Sequence, residues 1–128
     1  GYNGSASAGY NGSASAGYRG SASAGKYGSA SAGEYGSASA GKYGSASAGE
    51  YGSAVSRGIS IVGTNGVAVA RGNNNVRVKG GIGSILVICE ENKGNYDIKN
   101  YKVVVVDGKV IKADTFYKLE NGEFVECK

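Results

Sequence analysis

The sequence predicts an all-β protein: a β-solenoid, folded as a flattened two-sheet β-roll with about two octapeptides per coil, that ends in a small antiparallel β meander cap. Three observations carry this expectation. An octapeptide returns with fixed glycine phase through residues 1–54. Each unit contains Ser-Ala-Ser-Ala, whose period of two is that of a strand. Beyond residue 84 come β-branched and aromatic runs separated by Asp-Gly and Asn-Gly, the dipeptides of tight hairpin turns.

The regular array comes first. Gly stands at 1, 9, 17, 25, 33, 41 and 49, and again three residues after each, so every unit is a Gly-x-x-Gly corner followed by a short strand. Gly at both corner places is expected to supply positive φ and close backbone approach. Tyr occupies the second place at Tyr2, Tyr10 and Tyr18 and the third place at Tyr27, Tyr35, Tyr43 and Tyr51. A flexible linker needs neither a fixed Tyr nor a fixed Gly phase. A stack of coils needs both, because each rung must offer the next the same shape. Tyr27, Tyr35, Tyr43 and Tyr51 are therefore expected to stack at the corners.

Eight residues are too few to close a coil around side chains. Twenty-four would leave an empty triangular middle that small side chains cannot fill. Sixteen give two short strands and two corners. The variable corner residue alternates as Lys26, Glu34, Lys42 and Glu50. At sixteen residues per coil, Lys26 and Lys42 fall on one edge of the roll and Glu34 and Glu50 on the other.

Polarity argues for Ala inside and Ser outside. The apolar units "GVAVA" and "NVRVK" argue the reverse, since Val67, Val69, Val76 and Val78 read as occupying Ser places and Arg77 and Lys79 Ala places. Charges at the Ala places prefer water, so the Ser places are expected to face inward.

From 55 to 83 the octad continues in degenerate form, two residues short around Ala54 and Val55, where a phase slip is expected. Residues 1–83 are thus read as the roll and 84–128 as a capping domain. "SILVICE" at 84–90 reads as a buried strand and "KGN" as a turn. The β-prone run 103–106 leads through Asp107-Gly108 into "KVI", and Asn121-Gly122 joins "TFYKLE" to "EFVEC". Cys89 and Cys127 are the only cysteines. They are either joined in a disulfide pinning the last strand to the cap or left as two free, half-buried thiols.

Composition narrows the function. The chain has 128 residues, a net charge of +4, and no His, the commonest general base and metal ligand. No apolar run approaches bilayer length, and no basic-then-apolar leader opens the chain, so neither a membrane partner nor export by a standard signal is expected. Calcium-binding rolls carry Asp beside their Gly pairs, whereas these corners carry Tyr, Asn, Lys, Arg or Glu. "GGIG" lacks the Lys-Ser/Thr of a phosphate loop. Glu90 and Glu91 are neighbours on a strand, point apart, and read as a solvated strand end. No catalytic, metal-binding or cofactor-binding residue is therefore expected. Arg57, Arg71, Arg77 and Lys79 make an acid-free basic stretch, but the array carries too few cations for a strong phosphate track. Nucleic acid is not the expected partner.

The units running into "GGIGSILVI", followed by "VVVVDGKVIKADTFYKLENGEFVE", resemble the C-terminal half of uncharacterised bacterial and prophage proteins in which octapeptide β-roll repeats end in a β cap. The resemblance covers 63–126 and is most specific over 106–126. It implies a roll with a cap and no established activity, and it leads to small or apolar residues at positions 89 and 127, where this chain has Cys. The repeats are also similar to the left-handed β-roll heads of trimeric bacterial adhesins, which use longer units. The near-identity of the octads points to a consensus or engineered array. The expected role is a structural scaffold that self-associates as a homo-oligomer, through its uncapped N-terminal end or its edges. The alternative is a surface-binding module with an adhesin-like or ice-contacting flat face.

Overall fold

In a computed structural model the chain is a β-solenoid of about five turns with parallel stacked strands. The structure describes residues 4–72, 76–95 and 97–127. Gly1 and Tyr2, which open the array, lie outside the described residues. Twelve strands follow in order: β1 (Ser5–Ala8), β2 (Ser13–Ser15), β3 (Ser21–Ala24), β4 (Ser29–Ser31), β5 (Ser37–Ser47), β6 (Ser53–Ile61), β7 (Val67–Gly72), β8 (Arg77–Lys79), β9 (Ile85–Glu91), β10 (Ile98–Val105), β11 (Tyr117–Glu120) and β12 (Glu123–Glu126).

The coil is sixteen residues long, as expected. Ser5 pairs with Ser21, Ser21 with Ser37 and Ser37 with Ser53, all in parallel. On the opposite sheet Ser13, Ser29 and Ser45 pair in the same way. The first sheet runs β1-β3-β5-β6-β7-β9-β10, and the second holds β2, β4, the distal halves of β5 and β6, and then β8, β11 and β12.

Ala faces inward and Ser outward, against the expectation. Ala22, Ala30, Ala38, Ala46 and Ala54 are buried, while Ser21, Ser29, Ser37 and their equivalents in the regular coils face water. The apolar units misled because they do not share one phase. Ala68 pairs with Ala54, so Val67 and Val69 sit on the outside of the first sheet. The outward places Val67 and Arg77 are ten residues apart where Ser37 and Ser45 are eight, so Arg77 and not Val76 lies beside outward Ile59, and Val78 pairs with inward Ser60. The interior columns then grow in volume toward the cap: Ala22, Ala38, Ala54, Ala68, Leu86 on one sheet and Ala30, Ala46, Ser60, Val78, Tyr117 on the other.

The two missing residues are absorbed at a corner and not at Ala54 and Val55, which stay in register with Ala38 and Ser39. Arg57 and Gly58 alone carry the chain from one sheet to the other, so β5 and β6 each run across both sheets. A Cβ on Gly58 would lie 2.2 Å from the Gly44 carbonyl oxygen, so no side chain fits there. Buried Ser56 and Ser60 hold this short corner. The Gly58 N–H donates to Ser56 Oγ, and Ser60 Oγ donates to the Val69 carbonyl. With its one proton used, Ser60 must accept from Ser56 across 2.8 Å.

β9 pairs parallel with β7 and antiparallel with β10, so one strand belongs both to the roll and to the cap. Asn121 and Gly122 both have positive φ and close the β11–β12 hairpin, as expected from that dipeptide. Asp107 and Gly108 do not make the expected hairpin. Asp107 Oδ1 accepts the N–H groups of Lys109, Val110 and Ile111, a local side-chain turn that replaces the ladder. Ile111, Tyr117 and Val106 close the end of the core.

Candidate interaction surfaces

The corners define the edges of the roll. In the 33–36 corner the Gly36 N–H donates to the Gly33 carbonyl at 3.0 Å, and the third residue, Tyr35, has φ 58°. A positive φ at that place alone is the signature of a type II turn. The same third-place φ recurs at Asn11, Arg19, Tyr27, Tyr43, Tyr51 and Asn65. Positive φ thus falls on the residue before the closing Gly, not on the Gly pair as expected. The closing Gly serves close approach instead: a Cβ on Gly36 would lie 2.8 Å from both the Gly20 oxygen and the Ala32 Cβ.

This geometry aims the corner side chains along two columns. The N–H of Asn11 donates to the Lys26 carbonyl and that of Tyr27 to Lys42, and Lys42 pairs with Arg57 on the next coil. Opposite, Arg19 donates to Glu34, Tyr35 to Glu50 and Tyr51 to Thr64. Lys26 and Lys42 therefore share one edge, and Glu34 and Glu50 the other. Tyr27 and Tyr43 stack at 5.2 Å and 18°, and Tyr35 and Tyr51 at 5.1 Å and 10°. Where Tyr stands in the second place the rings only tilt, Tyr10 against Tyr27 at 51° and Tyr18 against Tyr35 at 70°. Lys26 and Lys42 each lie over the ring of the Tyr that follows, and Arg19 over Tyr18 and Tyr35.

Further along the basic edge is a feature the sequence reading missed. Glu91 is buried, not a solvated strand end. Arg57 grips it through both terminal nitrogens, Nη1 to Oε2 at 2.9 Å and Nη2 to Oε1 at 2.6 Å, and Arg71 Nε donates to Oε2. Burial pushes the Glu91 carboxyl up, but the hydrogen bonds and charges of the two guanidinium groups outweigh it and hold the carboxyl below the ordinary range. Strict alternation from Leu86 and Ile88 would have turned Glu91 outward. Its burial comes instead from the two arginines that close over it, Arg57 from the shortened corner and Arg71 from the outer row that pairs with Cys89. The readable signal was two Arg one shortened coil apart, followed by an acid at the next strand end.

The basic stretch is thereby divided. Arg57 and Arg71 converge on Glu91 at the edge, while Arg77 lies on the outside of the second sheet and Lys79 over the Phe116 ring. Cys89 and Cys127 are free thiols and not a disulfide. Cys89 pairs with Arg71 and Tyr101 on the outer face of the first sheet, whereas Cys127 follows β12 and bonds Phe116 beside the second. The outer face of the first sheet also turns aliphatic toward the cap, with Val67, Ile85 and Val105 in one row and Val55, Val69, Val87 and Val103 in the next.

Among the described residues no three of Cys, Asp and Glu gather as a metal would require, and no helix is long and apolar enough to cross a membrane. Compared with family models, curated proteins and solved structures, the chain matches none.

Proposed function

We propose that the chain is a structural element: a non-catalytic β-solenoid scaffold, built on a consensus-type repeat array, that associates with copies of itself. The observation that carries this reading is the identity of the surface from rung to rung. Ser5, Ser21 and Ser37 stack in register on one outer face and Ser13, Ser29 and Ser45 on the other, with the same Gly-x-x-Gly turn between them. A surface that repeats at each rung suits a partner with the same repeat, and the simplest such partner is another copy.

Light scattering over a hundredfold range of concentration, with circular dichroism on the same samples, tests the reading. Its expected result is a β spectrum with a mass that rises with concentration. A folded chain that stays monomeric throughout would defeat it. A second reading, contact with an ordered flat surface such as ice, is favoured by the outward Ser ranks. Thermal hysteresis in the freezing point is its test, and an ordinary freezing curve rejects it.

A further inference from the structure

We infer that the two edges of the roll are a matched pair of docking surfaces for a second copy, the basic edge of one chain against the acidic edge of the next. This deepens the proposed self-association by naming its contact, and it rests on that reading.

The charges of the two edges lie at matching levels along the roll axis. Lys26 and Glu34 belong to the same coil, between β3 and β5, and Lys42 and Glu50 to the next. A second copy placed alongside with its axis parallel and no axial shift sets Lys26 against the neighbour's Glu34 and Lys42 against its Glu50. The pitch of the two columns also agrees, since the ring stacks beside them advance 5.2 Å and 5.1 Å per coil. In that placement the Tyr27 and Tyr43 ladder meets the neighbour's Tyr35 and Tyr51. Arg19, the cation on the acidic edge, falls level with neutral Asn11.

The competing arrangement is disfavoured by the same charges. A two-fold contact of basic edge on basic edge brings Lys26, Lys42, Arg57 and Arg71 of the two copies together, like charge against like, and Glu91 is already shared by two of them. The contact is therefore heterologous and does not close on itself, so copies add side by side into an open ribbon.

Its strength is modest. The six corner tyrosines Tyr10, Tyr27, Tyr43, Tyr18, Tyr35 and Tyr51 are 39–62% exposed. Covering them removes on the order of 600 Å² from water, about half the lower bound for a stable pairwise complex. The association is therefore reversible and sensitive to salt.

Two charge-reversed variants of the whole chain test this. K26E/K42E has two acidic edges and E34K/E50K two basic ones. All four residues are corner side chains with water on one side, and circular dichroism verifies folding. Each variant alone is expected to associate at least about tenfold more weakly than the parent, and the parent to weaken similarly between low salt and about 1 M salt. An equimolar mixture of the two variants, whose edges are again complementary, is expected to recover association. Should a variant misfold, the salt titration of the parent and the neutral K26Q/K42Q variant read the same contact. Variants that assemble like the parent, or a mixture that fails where the parent succeeds, would overturn the edge contact and leave self-association through another surface standing. A parent that never associates would overturn both.

Discussion

Arg57 and Glu91, thirty-four residues apart in sequence, meet in a two-point ion pair at the edge where the repeat array gives way to the cap. Arg57 is the residue that remains where four corner residues shrink to two, and Glu91 ends the strand that roll and cap share. Loss of the carboxylate removes the charge that two neighbouring guanidinium groups share. Both arginines are partly hydrated, so the cost falls below that of breaking a fully buried pair. Glu91→Gln is expected to destabilise the chain by about 1–3 kcal/mol, measured by chemical denaturation at neutral pH.

The same carboxyl gives the fold an acid dependence of definite sign. Its folded pKa is depressed, so its contribution is fully present above the unfolded value near 4.3 and is lost as pH falls through the lower folded value. Asp107, held down by the N–H groups of Lys109, Ile111 and Val110, acts in the same direction. Melting temperatures of the parent should fall steeply below about pH 4. Glu91→Gln should show a shallower fall, because one of these two depressed carboxyls is gone. Parallel curves for the two proteins would remove Glu91 from this account.

The inward phase of Ala makes a paired prediction. Ala38 is buried between Ala22 and Ala54, with no hydroxyl partner in its column. Ala38→Ser is expected to cost about 1–3 kcal/mol for an unsatisfied buried hydroxyl. Ser37→Ala, one residue away and facing water, should stay within about 0.5 kcal/mol of the parent. The reverse order would mean that the strands are turned over.

The period of the array was legible because each octad repeats the same steric demand. Sixteen residues per coil and the two-sided charge pattern both followed from it. The phase was harder. A strand read alone shows which residues alternate, not which face is dry, and a span two residues longer than the octad put Arg77, not Val76, in the outward place. Glu91 escaped for a different reason: its burial depends on two arginines from other coils. Asp107 and Gly108 read as a hairpin because the dipeptide is a strong local signal. The Asp107 side chain, by taking three N–H groups itself, left no ladder for a hairpin to close.

The free thiols predict indifference to reductant. Cys89 and Cys127 sit beside different sheets, so thermal melts with and without a reducing agent should coincide within error. A thiol-reactive probe should label two sites per unfolded chain. A reductant-dependent melt with fewer than two labelled sites would mean that the thiols are joined.

The corner chemistry sets opposing effects side by side. Tyr35 sits at φ 58°, a conformation that costs a bulky residue about 1–2 kcal/mol. It regains a similar amount through its ring contacts with Tyr51 and Tyr18, each contributing about 0.5–1.5 kcal/mol. Tyr35→Asn, which relieves the backbone and removes the stack, should therefore change stability by less than about 1 kcal/mol. Its neighbour has no such compensation. Gly36→Ala drives a methyl onto a backbone oxygen and the Ala32 Cβ at 2.8 Å, neither of which can yield without moving a rung. That substitution should cost about 1–3 kcal/mol or more, read as a lower denaturation midpoint at unchanged slope. Equal costs at the two positions would show that the corner is held by its rings, not by the fit of backbone on backbone.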